Sequence, residues 1–304
     1  HQFGGFSHQL GDGRAMMLGE IVDTKGVRRD IQLKGAGPTP FSRGGDGKAS
    51  VGPVLREYLV SASLHALGVP TTRMLAAVST GQPVYRERTL PGAIVTRVAR
   101  SHLRVGTFEF FAARGDISRT KRLADYAIQR HYPYVMDSDN PYLGLLAAVG
   151  DAQAKLIARW MNVGFIHGVM NTDNFTIAGE TIDFGPCAFM DTFRLGTVFS
   201  SIDYHGRYAY GNQPRMGQWN LARFAEVLLP LIADDMDQAV DMGQDVLAAF
   251  SNTYRMCWLN GMRSKLGLND AQDSDLKLVM EFTELLEQHE LDYTTTLRSL
   301  SAIA

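Results

Sequence analysis

A change in hydrophobic period near residue 105 limits what this chain can become. Before it, short apolar alternations are interrupted by glycine. After it, apolar residues recur at three- and four-residue spacing over helix-length stretches. "AMMLGEIVD" (15–23) and "VRRDIQLKG" (27–35) read as paired strands with "TKG" as their turn. In the second, Ile31 and Leu33 alternate with Gln32 and Lys34, so the lysine is expected to point away from the apolar face. "GAGPTPFSRGGDGKAS" (35–50) holds too many breakers for a regular element and is expected to be a loop. A helix is expected over 50–68, with Ser50 as N-cap, Gly68 as its stop, and a stripe of Val54, Leu55, Tyr58, Leu59, Ala62 and Ala66. "QPVYRE" and "GAIVTRVAR" return to strand. Further helices are expected at 117–132, 141–164, 218–233, 235–264 and 274–299. The 141–164 helix carries Leu145, Val149, Ala152, Leu156 and Trp160 on one face. The class expected is α+β: a β-rich N-terminal lobe over 1–103 and a helical C-terminal lobe over 104–304, joined near 97–106.

The chemistry concentrates between 164 and 185, in "HGVMNTDNFTIAGETIDFG" from His167 to Gly185. Protein kinases place a catalytic Asp in H-R-D-x-x-x-x-N and a metal-binding Asp in D-F-G. His167 and Asn174 keep that spacing, and Asp183-Phe184-Gly185 closes it. Val169 stands where the catalytic Asp belongs, and valine cannot accept a proton. "FTIA" and "TIDF" around "GE" read as a small hairpin that brings Asn174 and Asp183 to one end. An amide oxygen and a carboxylate are hard ligands that suit Mg²⁺ with nucleotide phosphates and waters. The plainer alternative is a turn cap and a turn residue. His167 is expected to brace this loop, and Trp160, Trp219 and Trp258 to be core.

Upstream, Gly11 and Gly13 precede a strand and are followed by Arg14. Small residues let backbone N–H groups approach phosphate, and arginine adds a forked donor; an ordinary tight turn is the alternative. "GGDGK" (44–48) offers Asp46 as a partner for a ribose or an arginine, or is a solvated loop. Lys34 ends a strand and Glu57 lies within the next helix, the order in which kinases pair a phosphate-gripping lysine with a glutamate; both are otherwise commonly exposed. Arg97, Arg100 and Arg104 cluster at the lobe junction, either for phosphate or as a basic surface.

Five stretches together carry a resemblance: "HQFGGFSHQLGDGRA", "DIQLKGAGPTPFSRGGDGKA", "LREYLVSASLHALGVPTTR", "TRVARSHLRVGTFEFF" and "HGVMNTDNFTIAGETIDFGPCAFMD". In that order and spacing the chain resembles the selenoprotein O family, protein adenylyltransferases with a protein-kinase-like bilobal fold. The resemblance implies ATP bound flipped relative to kinases and AMP transferred to protein Ser, Thr or Tyr hydroxyls, with release of pyrophosphate. It implies that Lys34 holds phosphate and pairs with Glu57. Gly11, Gly13, Arg14, Asp46 and Gly47 would line the nucleotide site, and Arg97 and Arg104 would grip phosphates. Asn174 and Asp183 would hold Mg²⁺ or Mn²⁺, and Asp173 would be the base. Family members carry a stretch before the first motif and continue to a cysteine or selenocysteine. The chain begins at His1 without methionine, so a fragment is expected. Two readings compete. The segment also resembles aminoglycoside and choline kinases, which would make this a phosphotransferase, but they have H-G-D where this chain has His167-Gly168-Val169, and the valine argues against it. A pseudokinase that binds nucleotide without turnover is the other.

A net charge of -2 points away from nucleic acid and anionic membrane as partners. Two cysteines exclude a disulfide scaffold and a four-cysteine zinc site, and both are expected to be reduced. No apolar run has the length of a membrane span. The expected state is a monomer, cytoplasmic if bacterial and mitochondrial if eukaryotic.

Overall fold

The structure is a computed structural model and describes residues 1–5 and 12–302. It is α+β: among the described residues there are a five-stranded antiparallel sheet, a two-stranded antiparallel ribbon and a set of helices. Two compact units are present, His1–Ser138 with Asn171–Gly185, and Asp139–Met170 with Pro186–Ala304. This division follows packing, whereas a boundary at 103/104 follows a change of residue pattern; residues 104–138 and 171–185 pack with the strands.

In the first unit, β1 (Ala15–Val22) and β2 (Arg28–Lys34) form the expected hairpin. Its turn is fixed by Asp23, whose Oδ1 accepts the N–H groups of Lys25 and Val27, both at 2.9 Å. β3 (Ala49–Ser50), α1 (Val51–Ala66), β4 (Arg73–Tyr85) and β5 (Thr89–Ala99) follow. β5 is central and apolar. β2 and β3 lie end to end along one of its edges, Lys34 opposite Val95 and Ala49 opposite Ala93, while β4 takes the other edge. Residues between β2 and β3 therefore leave the sheet and return as a loop, as expected. Its neck is closed by the Ala36–Lys48 bridge and by Gly37 N–H donating to Gly47 O at 3.2 Å. Gly47 sits at φ 64°, and a Cβ there would stand 1.9 Å from the Gly37 oxygen, so no other residue fits.

Lys34 does lie on the face of β2 opposite Ile31 and Leu33, as expected, whereas the stripe expected on α1 does not hold. On β2 the polar face is the more buried one: Asp30, Gln32 and Lys34 are buried, while Ile31 and Leu33 are only half-buried. On α1, Leu55 and Leu59 of the expected stripe are 47% and 61% exposed, and the buried line is Val54, Glu57, Ser61 and Leu64. On both elements charged residues are buried against each other.

A short helix that the period did not reveal, α2 (Val105–Ala112), precedes α3 (Ile117–His131), whose N-cap Asp116 accepts the Arg119 N–H. The stretch expected as a hairpin at 175–184 forms no strand ladder among the described residues, although the Thr176 hydroxyl closes its turn by donating to Glu180 O at 2.7 Å and accepting the Glu180 N–H at 2.9 Å. Thr176 bridges Arg104 and Thr181 bridges Thr71, so a turn joins two arms held by different partners.

The second unit is built on α4 (Pro141–Asn162), with a short β6 (Phe165–Ile166) and β7 (Ala188–Phe189) ribbon. α5 (Gln213–Ile232) and α6 (Met236–Leu266) pack on α4. The helix expected over 274–299 is two, α7 (Asp275–Gln288) and α8 (Tyr293–Ser299). They are broken at Glu290, at φ 52°, and α8 is restarted by the Asp292 cap. Trp160 is core, as expected. Trp219 and Trp258 are only half-buried, and Trp219 carries the guanidiniums of Arg207 and Arg223 at 4.6 and 5.3 Å from its ring.

Candidate active site

The buried polar face of β2 explains the site. Lys34 at its end contacts Glu57 Oε1 of α1 and Asp183 Oδ1. One strand over, Arg97 of β5, fully buried, donates from Nη2 to Glu57 Oε2 at 3.1 Å and stands 3.6 Å from Asp183 Oδ1. Glu57 Oε1 also accepts the Phe184 N–H at 3.3 Å, which ties α1 to the Asp-Phe-Gly turn. Asp183 occupies the left-handed region at φ 65°, a strained conformation for a side chain larger than glycine. Its backbone is held in place from upstream, where Thr181 N–H donates to Pro70 O at 2.9 Å and Thr72 N–H to Thr181 O at 3.0 Å. Burial alone would raise the Asp183 carboxyl, but Lys34 and Arg97 outweigh it and hold the group well below the usual carboxylate range.

A second line of partners runs from Gln32. Its Oε1 accepts from Arg97 at 3.3 Å and its Nε2 donates to Asp12 Oδ2 at 2.9 Å. Asp12 in turn takes both arms of Arg104, at 3.0 and 2.7 Å. Burial would raise the Asp12 carboxyl, but Arg104 and Arg97 hold it far below its ordinary value. The backbone around Arg104 bonds to the stretch after the Thr172–Asn174 turn: Val105 N–H to Phe175 O at 3.0 Å, and Ile177 N–H to Leu103 O at 2.9 Å. This brings Asp173 close to Arg104. The pull of Asp12 and Asp173 overcomes burial and keeps the guanidinium firmly charged. α2 anchors the turn, since Thr172 Oγ1 donates to Glu109 Oε2 at 2.7 Å. Asp12, Gln32, Arg104 and Asp173 form the polar side of a cavity of about 480 Å³, with Phe41 and Phe110 on its apolar side.

The expected residues therefore fall into groups. Lys34, Glu57, Arg97 and Asp183 touch, with Arg14 close enough to act on the Asp183 charge. Arg104 and Asp173 share the cavity, and Asn174 follows Asp173 in the same turn. Asp46 is elsewhere: it is exposed and paired with Arg86 through two contacts of 2.9 Å. Gly47 serves the loop neck, and the Gly13 carbonyl accepts from Ser42 Oγ. Gly11 lies outside the described residues. Arg100 turns its backbone N–H to Glu180 at 2.9 Å. In the second unit His167 is buried, donating its N–H to Gln213 Oε1 at 2.9 Å with its ring 5.4 Å from Trp160. Sequence reasoning missed Asp12 and Gln32. Their signals were present: Asp12 stands inside "GDGR", and Gln32 shares a strand face with Lys34.

The donor set fits a nucleotide and a divalent cation. Arg97 Nε and Arg104 Nε are buried without a partner among the described residues. Both close cation contacts of Asp183 fall on Oδ1, and Oδ2 accepts no hydrogen bond from a described residue. Among the described residues no group of three or more His, Cys, Asp or Glu forms a cage, so an ion here takes its remaining ligands from phosphate and water.

Comparison with known proteins agrees in one direction. Residues 1–304 match the family described as protein adenylyltransferase SelO. The chain is 64% identical over its whole length to a protein nucleotidyltransferase YdiU of Rhizobium leguminosarum bv. trifolii, covering 61% of that relative. It is 63% identical to one of Rhizobium rhizogenes, also over all of this chain and 61% of the relative. With one of Cereibacter sphaeroides it shares 61% identity over 99% of this chain and 63% of the relative. The chain thus spans about three fifths of the length of the curated relatives it matches.

Proposed function

The chain belongs to the protein adenylyltransferase SelO family, and on that footing we propose that it transfers AMP from ATP to Ser, Thr or Tyr hydroxyls of proteins. The observation that carries the reading is the cavity where Asp173 stands beside the charged fork of Arg104, next to the Lys34–Glu57–Arg97–Asp183 cluster. Asp173 orients the incoming hydroxyl and takes its proton. The hydroxyl oxygen bonds to the α-phosphorus, the bond from that phosphorus to the β-phosphate bridge breaks, and pyrophosphate leaves. Lys34, Arg97 and Arg104 hold phosphate oxygens and offset the charge that develops. Arg14 and Gly13 complete the nucleotide site.

Asn174 and Asp183 would hold Mg²⁺ or Mn²⁺, which supplies charge neutralisation at the phosphates. The local charge balance supports such an ion. Lys34, Arg97, Arg104 and Arg14 are matched by Glu57, Asp183, Asp12 and Asp173, so a polyanionic nucleotide adds uncompensated negative charge.

The proposal carries with it a protein-kinase-like bilobal fold, with residues 1–103 as the small lobe and 104–304 as the large one. It also carries a monomeric state, and a cytoplasmic setting suggested by the bacterial relatives and two free cysteines. No helix among the described residues is long and apolar enough to cross a membrane.

The test is a pair of incubations with Mg²⁺ and a protein acceptor, one with ATP labelled at the α-phosphate and one at the γ-phosphate. Protein label from α alone is the expected result. Label from γ alone would make the protein a phosphotransferase, and label from neither a nucleotide-binding pseudokinase.

A further inference from the structure

The second unit holds a cavity that adenylyl transfer does not use. It lies among α4, α5, α6 and α7 and measures about 760 Å³, within the range of sites for small organic ligands. Phe193, Phe250, Trp258, Met262 and Met280 give it an apolar and aromatic wall, and among the described residues no Asp or Glu lines it. The Tyr210 and Tyr293 hydroxyls are spent on the last carbonyls of α4, donating to Met161 O at 2.6 and 3.2 Å.

Polar groups are left over among the described lining residues. Arg215, in the first turn of α5, and Arg255, on α6, line the cavity, and neither makes an ion pair or hydrogen bond with a described residue. The Tyr254 hydroxyl likewise bonds to no described residue, although burial holds the phenol above its ordinary range. The same end of α5 is not capped by a side chain, because Asn212 turns its amide to Gly206 O at 2.8 Å. A helix start and two unpaired guanidiniums place positive potential at the edge of an apolar space.

We propose that this cavity binds an amphipathic organic anion, with an aliphatic or aromatic body and a carboxylate at one end. The body packs against Trp258 and Phe250, and the carboxylate takes the forks of Arg215 and Arg255 with the Tyr254 hydroxyl as a further donor. A neutral ligand of the same shape would leave both arginines without an acceptor. A cation finds no counter-charge here.

The probe is decanoate, titrated into the full chain by calorimetry, with decan-1-ol as the uncharged body and acetate as the bare head group. The expected result is saturable binding of decanoate at one site and no binding of acetate. Decan-1-ol, and decanoate on the Arg215→Ala/Arg255→Ala double variant, should each bind at least about tenfold more weakly. Both arginines are exposed, so this variant keeps the packed core. Thr283→Trp, which fills the cavity from α7, should remove binding, with circular dichroism as the folding control. Absence of saturable binding, equal affinity for decan-1-ol, or equal affinity of the double variant would each overturn the proposal. None of these readouts depends on adenylyl transfer.

Discussion

Glu57 holds Lys34 with one carboxylate oxygen and Arg97 with the other, inside the first unit. Removing it leaves two buried cations to share the Asp183 carboxylate. Glu57→Ala should therefore cost about 3–5 kcal/mol, read as a lower midpoint in urea denaturation. Asp12 has a different standing. Its carboxylate fills the fork of Arg104 that a phosphate would otherwise occupy. Asp12→Asn should tighten ATP binding by roughly three- to tenfold in a calorimetric titration, since a carboxamide is a weaker competitor for a guanidinium. Weaker binding by the variant would mean that Asp12 serves the nucleotide rather than standing in for it. Glu180 gives a pH signature. Its backbone carbonyl accepts from Thr176 Oγ1, and its carboxylate accepts the Arg100 N–H and stands 3.9 Å from Arg29. Burial outweighs both and pushes the carboxyl up to about 7. An acid raised in the folded state stabilises below its unfolded pKa, near 4.5, and that stability is lost as pH rises through 7. Glu180→Gln, always neutral, should exceed the native chain in stability by up to roughly 3 kcal/mol at pH 8 and match it near pH 4.5.

At the scale of elements, α1 shows how far sequence can mislead. Its apolar residues form a stripe by spacing, yet the helix turns Leu55 and Leu59 outward and buries the line through Glu57. Leu64→Ala should cost about 2–5 kcal/mol and Leu59→Ala less than about 0.5, measured by thermal or chemical denaturation. Equal costs would contradict the burial pattern. Alternation on β2 was legible, but which face is buried was not. Burial follows the partners a residue finds, and the partners of Asp30, Gln32 and Lys34 come from β5, α1, α3 and the 171–185 stretch. The Asp-Phe-Gly turn and the Lys34–Glu57 order could be read from spacing alone. The arms around it could not, since Thr176 and Thr181 bond to residues 72 and 110 positions away. The break at Glu290 carries no glycine or proline, so nothing in composition announced it.

At the scale of the molecule, the charge balance of the site links ligand binding to stability. ATP with Mg²⁺ should raise the melting temperature, by about 2.7 kcal/mol of added stability at a ligand concentration a hundred times Kd. ATP with a chelator should give a much smaller shift, because the nucleotide charge then goes unmatched. The make-up of the first unit has a consequence for its birth. Its last piece, Asn171–Gly185, is separated from the rest by residues that belong to the other unit. Asp183 leaves the ribosome 149 residues after the lysine it will contact. At typical synthesis speeds that is a wait of roughly 7–30 s, during which Lys34 and Arg97 have only Glu57 between them. The Asp-Phe-Gly turn is thus the last stitch of the first unit to leave the ribosome.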